Sequence, residues 1–329
     1  MRIAIFLLLG SSALSAQESS KAPSATVSDK AIEFRAGKTL VTRYHIDPEA
    51  AKPYFWPILA PGDIPATRGW PMEKGLPKQS TDHPHQKSAW FCHGDVVPEG
   101  LELKTRSLDK RVRGVDFWSE TPGHGRIVCT SSKPMPGTAN SATVETVNEW
   151  RTPDGVKILD EVRTISLVLV EGEPMIVVRS TLKASVYPIT FGDTKEGSMG
   201  IRVSDQIVVK EGGGYLNAEG KKGEKEVWGQ PSKWVDYVGK IDGKAAGIAV
   251  FDHPKNAHPA VWHARGYGLV AANPFGRKES GFPSMKDKTD LVKLNKGDEL
   301  TLTYAIYPHA GDTEAGGVAK AFAAFAERR

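Results

Sequence analysis

Cysteine is scarce in this chain: two thiols, Cys92 and Cys129, among 329 residues. That pair builds no zinc ribbon and no CxxC redox motif. In an exported protein the two can join as a disulfide, or they can pack as small buried hydrophobes, and both readings stand. Long apolar runs are also missing. The run at residues 3–9 is far too short to span a bilayer as a helix, and no other long apolar stretch follows. Charge of one sign is nearly absent. The formal net charge is +4, with 43 Lys and Arg interspersed among 39 Asp and Glu. Such a balance lacks the basic patch that nucleic acid binding needs. There is no internal repeat, and clear helical periodicity occurs only at the C-terminal end.

What is present points to strands. Thirty-three Gly and 22 Pro favour many short strands and turns. Runs rich in Val, Ile, Thr and aromatics recur at 39–46, 127–131, 143–150, 158–170, 175–183, 199–209, 246–251, 267–272 and 300–307. Residues 161–184 read as two long strands joined by a turn at 171–173. Pro-rich segments at 53–77 and 133–137, and the Gly/Lys-rich tract 210–225, read as loops. At the end, Val318, Ala321, Phe322 and Phe325 lie at helical spacing behind Asp312 or Thr313 as N-cap, which predicts a helix over 312–329. The fold class expected is all-β: one large antiparallel β-sandwich over 26–329, closed by that C-terminal helix.

Residues 1–16 carry one Arg, an apolar run and then small residues, the plan of a secretory signal peptide. Export to the periplasm or the exterior is therefore expected, with 17–25 as a disordered lead-in.

Four stretches bear chemistry. "TDHPHQKSAWFCHGDV", 81–96, holds three of the nine histidines. If 90–96 is a strand, His93 and Asp95 share one face, and Trp90, Cys92 and Gly94 the other. Imidazole beside carboxylate suits proton transfer. His83, His85 and His93 can also be read as three nitrogens for a divalent metal with an open fourth position. "VDFWSETPGHGRI", 115–127, offers Asp116 and Trp118 as substrate contacts and His124 between glycines. "FGDTKEGSMGIRV", 191–203, offers Glu196 as a base, with Lys195 or Arg202 to hold an anionic or hydroxyl-rich ligand. "DHPKNAHPAVWHARGYGLVAANPFGRK", 252–278, adds His253, His258, His263, Trp262, Arg265, Tyr267, Asn273 and Arg277; its aromatics suit sugar faces and its polar groups suit hydroxyls. Each aromatic has a plainer reading as core. Two of these segments begin Asp-His-Pro, and in a sandwich they can meet on one rim or concave face.

Together, "DHPHQKSAWFCHGDV", "DFW", "DTKEGSMGIRV" and "WHARGYGLVAANPFG" resemble the motifs of a domain-of-unknown-function family of exported bacterial proteins often labelled methane oxygenase PmoA-like. The resemblance spans roughly residues 30–310. The family's first motif looks like DHPHHRGLWFAHGDV, and Gln86, Lys87 and Ser88 depart from it here, with Cys92 in place of a small Ala. The label brings no methane or copper chemistry, because no segment is long enough for a bilayer-crossing subunit. More distantly, the layout is similar to the galactose mutarotase-like supersandwich. Epimerases of that fold use a carboxylate to take the anomeric proton and a histidine to protonate the ring oxygen. By residue type, that resemblance implies Glu196 as base and His83, His85 or His93 as acid.

Three function classes follow. The leading one is an exported carbohydrate-active enzyme, a lyase, epimerase or hydrolase, with catalytic residues among His83, His85, His93, Glu196 and His263. Its substrate contacts would be Asp95, Asp116, Trp118, Lys195, Arg202, Trp262, Arg265 and Asn273. The alternatives are a non-catalytic glycan-binding envelope protein and a metal-dependent enzyme. The partner expected is a carbohydrate or sugar-derived small molecule; no cofactor is implied, with a divalent metal left open.

Overall fold

A computed structural model describes residues 21–328. The expected secretion signal, 1–16, and residues 17–20 of the lead-in lie outside the described residues. In chain order the strands are β1 (Pro23–Val27), β2 (Ala31–Ala36), β3 (Thr39–His45), β4 (Tyr54–Ala60), β5 (Ile64–Pro65), β6 (Ala89–His93), β7 (Val96–Pro98), β8 (Arg126–Thr138), β9 (Ser141–Arg151) and β10 (Lys157–Val170). They continue as β11 (Glu173–Lys183), β12 (Ile189–Phe191), β13 (Gly197–Arg202), β14 (Gly214–Asn217), β15 (Trp234–Ile241), β16 (Lys244–Asp252), β17 (Val261–Ala264), β18 (Leu269–Asn273), β19 (Val292–Leu294) and β20 (Glu299–Ala310). Two α-helices are described, α1 (Gly223–Val227) and α2 (Val318–Ala326).

Two antiparallel sheets carry the fold. The first has nine strands, running β1-β2-β3-β4-β6-β13-β18-β17 with β5 beside β4; the second has eight, β14-β15-β16-β20-β11-β10-β9-β8. A three-stranded sheet, β19-β12-β7, flanks them. The protein is thus mostly β, as its strand-rich sequence predicts. No described helix is long and apolar enough to cross a membrane.

Pattern explains the layering. Along β9, burial alternates residue by residue, so Val144, Thr146, Asn148 and Trp150 face the interior. On β6, Phe91 points inward and packs against Trp150 and Tyr304 of the second sheet. Between the sheets lies a fully buried charge pair. Arg163 donates to Glu161 from Nε at 2.7 Å and to the Tyr44 hydroxyl at 2.6 Å, and the Trp150 indole donates to Glu161 at 2.9 Å. Both charges are thereby hydrogen-bonded, the condition for tolerating them away from water.

Several boundaries differ from expectation. Residues 23–25 of the expected 17–25 lead-in belong to the sheet: β1 pairs along its whole length with β2, from Pro23 opposite Ala36 to Val27 opposite Ile32. Residues 133–137 belong to β8, whose outer half is exposed and tolerates Pro. β4 lies inside the Pro-rich 53–77 segment, β14 lies inside 210–225, and α1 begins within that tract and ends at Val227. The terminal helix begins at Val318 rather than 312, because Gly317 at its start takes a left-handed conformation (φ 63°). Asp312 instead accepts from the Ala315 N–H, and Thr313 donates to Asp236. The helix buries Val318, Ala321 and Phe325 against the outer side of the second sheet, with Phe251 and Tyr307.

Candidate functional site

The outer face of the first sheet forms a floor. Residues directly opposite in antiparallel strands share a face, so Tyr54, Trp90, Gly200, Ala271 and His263 form one row across β4, β6, β13, β18 and β17. Trp118 packs edge-on to Trp90, with ring centroids 5.1 Å apart. A Cβ on Gly200 would meet Trp90 at 2.8 Å and Trp118 at 3.2 Å, so only Gly lets the tryptophans settle there. Loops over this face enclose a cavity of about 970 Å³. His83, His85, Asp95, Asp116, Lys195 and Glu196 all line it.

One wall is an arm built around Asp82. Arg68 and Arg202, both fully buried, each donate to its Oδ1 at 2.7 Å. Partial burial opposes its ionisation, but Arg202, with hydrogen bonds from Ser80 and His83, outweighs that and holds the Asp82 carboxyl well below the ordinary carboxylate range. Its Oδ2 lies 3.0 Å from His83 Nδ1. An ionised Asp82 makes Nδ1 the donor and leaves Nε2 as acceptor. The His83 ring stacks on Tyr267 with centroids 5.3 Å apart, and the Arg202 guanidinium lies over that tyrosine at 4.6 Å. The imidazole is therefore held on two sides.

The second feature is the 193–196 turn that leads into β13. Asp193 accepts N–H bonds from Arg277 and Ser280, and Asn273 donates to Thr194 O at 2.9 Å. His263 Nδ1 lies 3.0 Å from Lys195 O, as donor, with Nε2 facing Arg265 Nε at 3.4 Å. These bonds place Glu196 over Gly94, whose N–H donates to Glu196 O at 2.7 Å. The carboxylate keeps 32% of its side-chain surface open, and burial raises its pKa.

The remaining lining is polar and already bonded. Asp95 accepts from the backbone N–H groups of Arg113 and Gly114, although burial raises its pKa. Asp116 caps the turn at Trp118 and Ser119. Burial, with the charge of Lys52, lowers His85 to about 3, so this imidazole is neutral at neutral pH.

Seven of the expected site residues thus share the cavity: His83, His85, Asp95, Asp116, Trp118, Lys195 and Glu196. Others do not. β6 ends at His93 and the chain bends at Gly94, so His93 and Asp95 do not share a face. His93 is buried beneath the sheet, edge-on to the stacked pair Phe191 and Phe275 and bonded to Gly192 O at 2.9 Å. The metal set His83, His85 and His93 is split accordingly, and no described group of three or more His, Cys, Asp or Glu is arranged to hold a metal ion. His263 lies under the site, 3.9 Å from Glu196, as a positioning residue that burial keeps at a pKa of about 3. Arg202 is committed to Asp82 and Gln86, and Arg265 to Glu224. Trp262 is fully buried, its indole bonded to Ser232 O, and Asn273 serves the backbone. Trp118 is 3% exposed and presents no open face to a sugar. The two Asp-His-Pro segments meet in part: His83 of the first stacks on Tyr267 of the second, but His253 lies against α2, bonded to Arg328 O. Both cysteines are free, Cys92 buried and Cys129 partly exposed. Residues that the sequence reading missed are Asp109, Arg111, Arg113, Lys278 and Glu279 on the rim. They sit in loops whose charge pattern matches ordinary solvated surface.

The fold and cavity define a β-sandwich protein with a polar, titratable site on the outer face of one sheet. The chain belongs to the Family of unknown function (DUF6807), which matches residues 31–323. No curated protein matches it. Among solved structures it is similar to the GH36 α-galactosidase AgaB from Geobacillus stearothermophilus, at 10% identity and a TM-score of 0.46, covering 89% of this chain and 42% of that one. It is also similar to galactose 1-epimerase from Lactobacillus acidophilus NCFM, at 8% identity and a TM-score of 0.41, covering 87% of this chain and 97% of that one. The chain spans less than half the length of the galactosidase. Likenesses this distant assign no activity here.

Proposed function

We propose that the cavity is the active site of an exported carbohydrate-acting enzyme whose chemistry is proton transfer. Glu196 is the proton donor and His83 the acceptor. The observation that carries this reading is the pairing of opposites around one cavity: a desolvated carboxyl with a raised pKa, and an imidazole whose Nδ1–H is engaged by an ionised aspartate. The roles are then the reverse of those implied by residue type alone.

A substrate proton passes to His83 Nε2, and the Glu196 proton passes to the ring or leaving oxygen whose C–O bond breaks. The proton taken comes from a hydroxyl in ring opening, from a C–H in elimination, or from water in hydrolysis. His85, neutral, hydrogen-bonds hydroxyls. A cavity of about 970 Å³ has the size of a small-molecule site, and the carboxylates, histidines and Lys195 set in its otherwise largely apolar lining suit the hydroxyls of a sugar ligand. Export rests on residues 1–16.

The test is turnover of a panel of neutral and acidic sugars by the wild type, Glu196→Gln and His83→Asn, with folding checked by circular dichroism. The reading expects turnover by the wild type and at least a 100-fold loss in each variant. Folded wild-type protein that binds sugars without turnover would favour a binding module instead.

A further inference from the structure

The acids and the bases of this cavity are bonded very differently. Among the lining carboxylates, Asp95, Asp116 and Asp193 accept backbone N–H groups, and Asp109 pairs with Arg111 at 2.7 Å. Glu196 is the proton-exchanging group, and Glu279 is exposed on the rim. The cations are less occupied. Among the described residues, no carboxylate lies within 4 Å of the Lys195 ammonium, the Arg113 guanidinium or the Lys278 ammonium, and none of the three side chains donates a hydrogen bond to the protein.

Lys195 is the best placed. It is half-buried beside Glu196, and its own carbonyl accepts the His263 bond at 3.0 Å, which fixes its backbone. An ammonium that has lost part of its hydration without gaining a partner favours an anionic ligand. The other cations near the site are committed. Arg68 and Arg202 hold Asp82; Lys52 and Lys87 hold Glu120, the latter at 2.7 Å; Arg265 holds Glu224.

We propose that the ligand of this cavity is a sugar bearing a carboxylate, which Lys195 binds. This rests on the reading of the cavity as a sugar site and names its substrate class. A carboxylate at Lys195 places its sugar ring next to Glu196, because the two residues are adjacent in one turn. It also gives the Lys195 ammonium a direct counter-ion without touching the bonded acids.

The experiment is calorimetric titration of the full chain with uronic acid oligosaccharides and their methyl esters, which keep the ring and remove the charge. At low salt the expected result is that at least one uronate binds ten-fold or more tightly than its ester. Lys195→Gln brings the two together, and added salt does the same in the wild type. The melting temperature of the variant reports its folding. Equal binding of acid and ester would overturn the anionic preference and leave the sugar site standing. A preference that survives Lys195→Gln would overturn Lys195 as its seat. Folded protein that binds neither would overturn both this inference and the sugar reading.

Discussion

Gly94 and Glu196 compete for one volume: a Cβ on Gly94 would lie 2.8 Å from Glu196 Cβ and 2.9 Å from its carbonyl oxygen. The bend that ends β6 therefore requires glycine so that the 193–196 turn can cross over it. Gly94→Ala is expected to push Glu196 out of place. The cost is about 1–3 kcal/mol of stability, with a loss of turnover larger than that of other variants equally destabilised. Urea unfolding alongside turnover checks it.

Asp82 ties the site to the fold. Asp82→Asn leaves Arg68 and Arg202 buried together without their shared anion. Breaking a fully buried pair costs roughly 3–5 kcal/mol; Asp82 is 40% exposed, so about 2 kcal/mol is expected. The same change frees the His83 tautomer and lowers turnover. The pH dependence has a definite sign. The folded pKa is depressed, so the contribution of Asp82 is fully present above the unfolded value near 3.8 and is lost as pH falls through the lower folded value. Denaturation below pH 4 should be milder in Asp82→Asn than in the wild type, relative to each protein at pH 7.

The C-terminal segment carries the opposite sign. His309 Nε2 lies 3.0 Å from Asp236, which also accepts from Thr313 at 2.6 Å. Burial alone would lower the imidazole, but the hydrogen bond and charge of Asp236 outweigh it and raise the pKa. Its stabilisation is fully present below the unfolded value of 6.5 and fades as pH rises through the folded value. Melting temperature should fall across that window, and His309→Gln should flatten the fall.

The cysteines should behave as two different thiols. Burial pushes Cys92 up to about 12, while Cys129 is partly exposed on β8. Under native conditions a thiol reagent should label Cys129 and spare Cys92, and unfolding should expose both. Non-reducing electrophoresis should show no internal cross-link.

Which parts were legible follows from geometry. Most strands of the second sheet, β8 to β11, β16 and β20, were readable because their residues are strand formers and their alternation can be regular, as in β9, whereas β14 and β15 were not. The His83 and Glu196 segments stood out because histidines and charged residues concentrate there in Pro- and Gly-marked loops. The first sheet hid its assignments. Loops cover its outer face, so β6, β13, β17 and β18 are buried on both sides. There, polar residues such as His93, His263, Arg202 and Asn273 look like ligands in the sequence but satisfy backbone groups or other side chains. The rim charges gave no signal, because a loop cation without a partner reads like any solvated lysine or arginine.

The central claim is that Glu196 and His83 exchange protons with a bound sugar. Proton NMR of a sugar panel with wild-type protein, Glu196→Gln and His83→Asn tests it most directly, since ring opening, elimination and hydrolysis each change the spectrum. The account predicts that wild-type protein converts at least one sugar, and that both variants bind this sugar without converting it. Conversion undiminished in Glu196→Gln, or no conversion by folded wild-type protein, would contradict it.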